Sequence, residues 1–359
     1  MSMIDRLSAL WDSLRQRWLY RKGDWSMPSL DFWRRKPTTS ATGAAMDDIA
    51  GSTGWTVYIK RGALALLAIL LLYYPVGMLM VHNIDDDADF TAPPGDRIPG
   101  GSESVAIAAA LIDREVDQKS WTANDPFFQP GYMLDNMPNF QQGIMSALAR
   151  FGFELTDQIG RTRGSSEADA NLQRAGGLLQ YPGNVWLWNP GVSLAIRASS
   201  ESQYRDARRE LLAYNARLAK GQAVFDARGD NLLATLDRFA ADLGSASAVL
   251  DRQVTEHSGD LYDFKADNVF YFTKGKLYAY YLVLRGLGED FAPVLKERNL
   301  QAPWAQMLES MRMGAELAPW VVVNGEPDAL FRPSHLAAQG FYLLRARTQL
   351  REITNILLK

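Results

Sequence analysis

The sequence predicts an all-α protein, in which an amphipathic N-terminal helix and one transmembrane helix precede a helical bundle of about seven to eight helices. Two observations predict this fold class. Residues 62–81 are twenty consecutive positions without a charge, and residues 102–359 repeat apolar side chains at intervals of three and four. That interval is the period of an α-helix. Strand signals are short, at 185–187 and 321–323, and Pro or Gly flanks each of them.

The apolar run 62–81 has the length of a membrane span. Twenty residues at about 1.5 Å each cover about 30 Å, the hydrocarbon thickness of a bilayer. A buried core helix is the alternative, but one of this length normally carries a polar stripe. A secretory signal would begin nearer the N-terminus and be shorter. We therefore predict a transmembrane helix over 57–82, with Tyr73 and Tyr74 suited to headgroup depth.

The charges on the two sides of this helix predict its orientation. Residues 1–61 hold ten Lys or Arg against six Asp or Glu, a net charge of +4. The chain totals are 38 and 41, so residues 82–359 hold 28 basic and 35 acidic residues, a net charge of −7. Because basic segments resist translocation, we predict that the N-terminal segment stays in the cytoplasm. The large domain is then expected across the membrane, in the periplasm if the host is a bacterium with two membranes.

Residues 1–26 are predicted to form a basic amphipathic helix in the cytoplasm. Apolar residues at helical spacing with cationic residues opposite them are typical of a helix on an anionic membrane surface. A helix that binds a partner protein is the alternative. The residues assigned to the membrane surface are Trp11, Arg15, Trp18, Arg21 and Lys22. Residues 27–56 are rich in Pro, Ser, Thr and Gly and are predicted to be a flexible linker.

An acidic and Pro/Gly-rich spacer over 83–101 is predicted to lead into a helical extracytoplasmic domain over 102–359. Ser102, Asp230 and Ser334 are the expected N-caps. The expected helices cover 102–119, 138–163, 167–180, 200–220, 230–256, 267–287, 303–318 and 334–357.

The acidic cluster at the start of the spacer has two interpretations. Asp85, Asp87 and Asp89 have the alternate spacing that opens a calcium loop, with Asp96 at the twelfth place. Phe90 stands where the turn of such a loop needs Gly, and Asp lacks the reach of the usual bidentate Glu. We interpret the cluster as the charged flank of the span.

Few residues suit catalysis. The chain has no cysteine and three isolated histidines, and it lacks the HExxH, GxSxG, P-loop and GxGxxG motifs. Carboxylate pairs are frequent in an acidic domain, but spacing along the chain cannot establish the separation that glycoside hydrolysis needs. No catalytic residue, cofactor, metal or nucleic-acid partner is predicted, and an enzyme is the less favoured interpretation.

Two aromatic and polar segments, 121–143 and 180–191, form the candidate surface for a ligand or partner. The first predicts either a hydrogen-bonded elbow folded back on the bundle or a groove with polar groups among aromatic walls. The second either packs over a helix or presents two tryptophans to a carbohydrate or peptide. The candidate residues are Trp121, Asp125, Asp135, Asn136, Asn139, Trp186 and Trp188.

Several longer motifs resemble one protein family. They are IDDDADF, AAALIDREVD, WTANDPFF, MLDNMPNFQQG, ELTDQIGRTRGSS and DNLLATLDRFAADLGS. With the single span, they resemble an uncharacterised bacterial family, domain of unknown function 2333, over about residues 58–359. The resemblance implies a bacterial inner-membrane protein and implies no activity.

Three functional classes follow. We expect a membrane-anchored interaction or scaffold protein of the cell envelope, whose partners are the lipid bilayer and either an envelope protein or a second copy of the chain. A periplasmic module that binds peptidoglycan, lipid or sugar would need an apolar cleft lined by Trp186 and Trp188. An envelope hydrolase would need two carboxylates facing each other in a deep pocket, at least one with a strongly shifted pKa.

Overall fold

The computed structural model describes residues 54–161, 168–188, 191, 195–258, 263, 265–327 and 330–359. This part of the chain contains ten α-helices and no strand, which confirms the all-α prediction. The predicted amphipathic helix and most of the predicted linker lie outside the described residues. The helices are α1 (Gly54–Val81), α2 (Glu103–Asp113), α3 (Asn136–Glu154), α4 (Ala170–Leu179), α5 (Ser200–Ala219), α6 (Gly229–His257), α7 (Ala266–Asp290), α8 (Ala292–Glu297), α9 (Gln301–Ala315) and α10 (His335–Leu357).

Helix α1 contains the predicted span. Its residues Trp55–Val81 are long and apolar enough to cross a membrane, with a mean hydropathy of 2.3 over the most apolar stretch, none of which is buried. The chain divides after Ala68, and Ile69–Lys359 forms one unit. The second half of α1 therefore belongs to the unit that contains the bundle.

Two of the three predicted N-cap residues are confirmed. Ser102 and Ser334 cap α2 and α10, as predicted, by accepting hydrogen bonds from Val105 N–H and Ala337 N–H. The predicted cap at Asp230 is wrong. Helix α6 begins one residue earlier, at Gly229, and the Asp230 carboxylate lies within the first turn.

Helix α7 is the core of the bundle and packs against α2, α3 and α9. It is buried on nearly all faces, and its two buried lysines, Lys274 and Lys276, are paired with the carboxylates of Asp86 and Asp242. Its backbone approaches α3 closely where Gly143 and Gly275 leave room. A Cβ on Gly275 would lie 2.0 Å from the carbonyl oxygen of Phe140.

Several helix termini meet at the end of the bundle where the chain leaves α1, which we call the α1 end. Lys274 joins two chain segments at this end. Its Nζ donates hydrogen bonds to Asp86, just after α1, and to the Leu317 carbonyl, just after α9. The N-termini of α3, α7 and α10 lie here. At the opposite end, Asp290 accepts hydrogen bonds from the hydroxyls of Ser102 and Ser104.

Candidate functional site

The acidic segment after α1 is bound to the bundle by ion pairs. Asp85 lies 3.5 Å from Arg114 and 3.2 Å from Lys119, and Asp86 lies 2.6 Å from Lys274. Although burial opposes it, the Arg114 charge holds the pKa of Asp85 below its usual value. Burial lowers the pKa of Lys274 despite the attraction of Asp86.

Hydrogen bonds to the backbone hold the same segment. The Tyr278 hydroxyl donates to the Asp87 carbonyl at 2.7 Å, and the Arg285 guanidinium donates to the carbonyls of Ala88 and Phe90. The segment that the sequence predicts to be a spacer is thus bound, over its acidic part, to α7 and to the residues that directly follow α2. A set of contacts this dense holds the exit of α1 in one position on the bundle. We call residues 85–90 the clamp.

A loop of the bundle lies along the last turns of α1. The Tyr73 hydroxyl donates to the Phe128 carbonyl at 3.0 Å, and the Tyr74 hydroxyl donates to the Phe127 carbonyl. Gly77 is close enough to Pro130 that a Cβ there would lie 2.5 Å from the proline ring. We call residues 126–133 the aromatic loop. Its exposed side chains include Phe127, Phe128, Tyr132 and Met133.

The two candidate segments pack on each other. Trp121 is buried, its Nε1 donates to the Gly183 carbonyl at 2.8 Å, and its ring meets the edge of the Tyr204 ring. Trp186 packs edge-on against Phe128, with ring centroids 5.6 Å apart. These contacts join 121–128 to 183–186, as an elbow would. Trp188 is 44% exposed.

A cavity of about 520 Å³ lies between the aromatic loop and α5. Trp121 and Asp125 line it, with Glu201 and an Arg205–Asp117 ion pair of 2.7 Å. Burial, and secondarily the Glu201 charge, raise the pKa of Asp125 to about 6. Two carboxyl groups in one cavity, one of which releases its proton near pH 6, can bind a cationic or hydroxyl-rich group and can exchange a proton with it.

The other candidate residues lie elsewhere. Asp135 accepts a hydrogen bond from Asn136 N–H at the start of α3. Asn136 lines a second cavity of about 600 Å³ with Tyr271 and Trp320. Asn139 donates to Asn268 and lines a third, of about 310 Å³. The structure thus brings Trp121 and Asp125 together and separates them from the three residues at the start of α3.

The predicted membrane-surface residues Trp11, Arg15, Trp18, Arg21 and Lys22 lie outside the described residues. Within the described ranges, no group of three or more His, Asp or Glu is arranged to hold a metal ion.

Sequence reasoning named Asp85 only as part of the charged flank, and it did not select the residues that bind the aromatic loop to α1 or the second carboxylate of the cavity. Tyr73 and Tyr74 were expected only at headgroup depth, and Phe127, Phe128 and Glu201 were not singled out. The signal available was the PFFQP sequence at 126–130, an aromatic pair held between two prolines.

A comparison with protein families matches most of the chain. The model of a family described as "Uncharacterized protein conserved in bacteria (DUF2333)" matches residues 85–261 and 263–359, beginning at the first carboxylate of the clamp. No curated protein and no solved structure matches the chain. The matched residues are well over half of the chain, and the protein therefore belongs to the DUF2333 family of bacteria.

Proposed function

We propose that this protein is a single-pass inner-membrane protein whose bundle lies in the periplasm and works there as an interaction or scaffold protein. The observation that carries this proposal is the clamp. It joins an apolar helix of membrane-spanning length to the bundle through ion pairs at Asp85 and Asp86 rather than through a free tether. A scaffold needs this property, because it must present its surfaces at a defined position relative to the membrane.

The charge distribution supports the orientation. The segment before the span has a net charge of +4, and the part after it has a net charge of −7. Lys60 and Arg61 stand directly before the apolar run, and the acidic cluster stands directly after it. Basic residues next to a span are retained in the cytoplasm.

The side of the bundle formed by α6 and α10 supports a protein partner. Phe341 and Leu344 are 60% and 53% exposed on α10, beside a groove of about 430 Å³ that Val254 of α6 also lines. Exposed apolar side chains next to one another are typical of a protein–protein contact.

Labelling of single cysteines tests the orientation, since the natural chain has none. Ser40→Cys lies before the span, and Glu297→Cys lies at an exposed position of the bundle. In intact cells, a membrane-impermeant maleimide that crosses the outer membrane is expected to label Glu297→Cys alone. Labelling of Ser40→Cys alone would overturn the proposal, because the bundle would then lie in the cytoplasm.

A photo-crosslinking amino acid tests the interaction role. Placed at Phe341 or Leu344, it is expected to give one reproducible adduct in cells, and placed at Lys296 it is expected to give none. If no adduct forms at Phe341 or Leu344, the α6–α10 groove is not a partner surface.

The cavity at Asp125 favours a second function, binding of a polar envelope ligand such as a sugar or a peptidoglycan fragment. Its support is the pair Asp125 and Glu201 beside the Trp121 ring. Muropeptides are expected to raise the melting temperature of the full-length protein and not that of Asp125→Asn. Equal shifts in the two proteins would refute this function.

A further inference from the structure

The α1 end of the bundle has an unusual surface. Apart from α1, most of the largest and most exposed apolar side chains of the described residues lie in loops at this end. In the aromatic loop, Phe127 is 71% and Met133 is 60% exposed. In the loop between α9 and α10, which we call the α9–α10 loop, Trp320 is fully exposed and Phe331 is 89% exposed.

Contacts in the structure place these two loops at the same end. The carbonyl of Leu317, three residues before Trp320, accepts a hydrogen bond from Lys274, which also binds Asp86 at the exit of α1. Trp320 also shares a cavity with Asn136, three residues after Met133. The clamp, the aromatic loop and the α9–α10 loop are therefore neighbours.

We propose that the α1 end of the bundle is inserted into the outer leaflet of the inner membrane, with the aromatic loop and the α9–α10 loop in contact with lipid. This inference rests on the proposed function, in which α1 spans the bilayer. In addition, lipid acyl chains contact the exposed apolar side chains of the two loops.

The position of the aromatic loop along α1 carries the argument. Tyr73 and Tyr74, which bind the loop, lie eight and seven residues before the end of the helix at Val81, a distance of about 10–12 Å. One leaflet contributes about 15 Å of hydrocarbon. If the apolar run 62–81 fills the bilayer, Phe127 and Phe128 lie below the lipid headgroups.

The exposed face of α1 argues against the alternative in which its last turns stand in water. The face with Tyr74, Gly77 and Val81 is partly buried against the bundle. On the other face, Leu79 and Met80 are 81% and 79% exposed. Apolar side chains are more stable in hydrocarbon than in water, so we expect the last turns and the loop beside them to lie in lipid.

The hydrogen bonds of the loop suit an apolar surrounding. A backbone carbonyl without a partner costs several kcal/mol in hydrocarbon. The carbonyls of Phe127 and Phe128 accept from the Tyr74 and Tyr73 hydroxyls, so that donors and acceptors satisfy each other. Pro126 and Pro130 contribute no N–H to the loop, which further reduces the number of donors to be satisfied.

Depth-dependent fluorescence of the full-length protein tests the inference. Single-cysteine variants Phe127→Cys and Phe331→Cys, labelled with an environment-sensitive dye, are reconstituted in vesicles of phosphatidylethanolamine and phosphatidylglycerol that contain lipids with a nitroxide on the acyl chain. Leu66→Cys, within α1, reports the span itself. Leu358→Cys is the matched control: its side chain is 71% exposed, as is that of Phe127, and it lies at the far end of α10.

We expect blue-shifted emission and nitroxide quenching at positions 66, 127 and 331, and neither effect at 358. Quenching at 66 with emission at 127 and 331 equal to that at 358 would overturn the inference and leave the span intact. Absence of quenching at 66 would overturn the proposed function itself. Circular dichroism of each labelled variant establishes that it has folded before its depth is compared.

Discussion

Substitution of Gly275 by Ala tests the packing at the centre of the bundle. A Cβ at this position would lie 2.0 Å from the carbonyl oxygen of Phe140 on α3, which is 1.4 Å short of the 3.4 Å at which ordinary contact begins. The obstacle is the backbone of a buried helix, so it cannot rotate away as a side chain could. Gly143→Ala meets the same obstacle from the other helix, with its Cβ 2.1 Å from the Phe272 carbonyl oxygen.

The expected loss of stability follows from two opposing contributions. Overpacking of a core costs about 1–3 kcal/mol, and we take about 3 because backbone must move. Replacing Gly by Ala within a helix returns about 1 kcal/mol. The net expectation is a loss of about 2 kcal/mol. Gly340→Ala, in α10, is the matched control: no atom lies within 4 Å of its Cβ, so a gain of about 0.5–1 kcal/mol is expected.

Denaturant unfolding in detergent micelles, followed by circular dichroism, measures both substitutions against the natural protein. Gly275→Ala is expected to unfold at lower denaturant concentration, and Gly340→Ala at slightly higher concentration. If Gly275→Ala is as stable as Gly340→Ala, then α3 and α7 are further apart than the structure has them, and our account of the core is wrong.

Three further substitutions test the clamp, the cavity and the far end of the bundle. Lys274→Met leaves the Asp86 carboxylate and the Leu317 carbonyl without their donor. We expect the free energy of unfolding to fall by about 2–4 kcal/mol in the same assay, and an unchanged free energy would show that the clamp is weak. The pKa of Asp125 is raised from 3.8 to about 6. Between these pH values the folded state holds a proton that the unfolded state has lost. The contribution of Asp125 to stability is therefore complete below pH 4 and is lost as the pH rises through 6. Asp125→Asn should therefore match the natural protein near pH 4 and exceed its stability at pH 7.5, and a gap that is independent of pH would contradict this assignment. Asp290→Asn replaces an acceptor that receives hydrogen bonds from two hydroxyls and two amides at the start of α2, and we expect a loss of about 2 kcal/mol; an unchanged unfolding midpoint would mean that Ser102 caps α2 without help.

The helices were predictable because their signals are local. Ser102 and Ser334 cap helices through hydrogen bonds to residues three positions later, a distance that the sequence displays directly. The same approach misplaced the cap at Asp230 by ignoring that Gly229 can already enter the helix. Helix ends are the least certain part of such predictions, because neighbouring residues compete for the cap.

The candidate site was predicted less completely. The sequence selected Trp121 and Asp125, which do share a cavity, and grouped them with Asn136 and Asn139, which line other cavities. Both sets belong to one unusual segment, but the start of α3 directs its residues to another side of the bundle. Glu201 completes the cavity from a helix that is 76 positions away, and no local pattern relates the two.

The sequence by itself determined that the described part of this chain has one helix able to cross a membrane and that its other regular elements are helices. Hydropathy and helical period are properties of neighbouring residues, and chain geometry converts them into structure wherever they occur. Only the tertiary structure decided how that helix joins the domain. The sequence predicts an acidic spacer and names no contact for it, whereas in the structure Asp86 binds Lys274 across 188 positions and Tyr73 binds Phe128 across 55. These contacts join residues that are distant along the chain. They form because the packing of α7 and α3 against their neighbours brings the buried lysine and the loop carbonyl next to their partners.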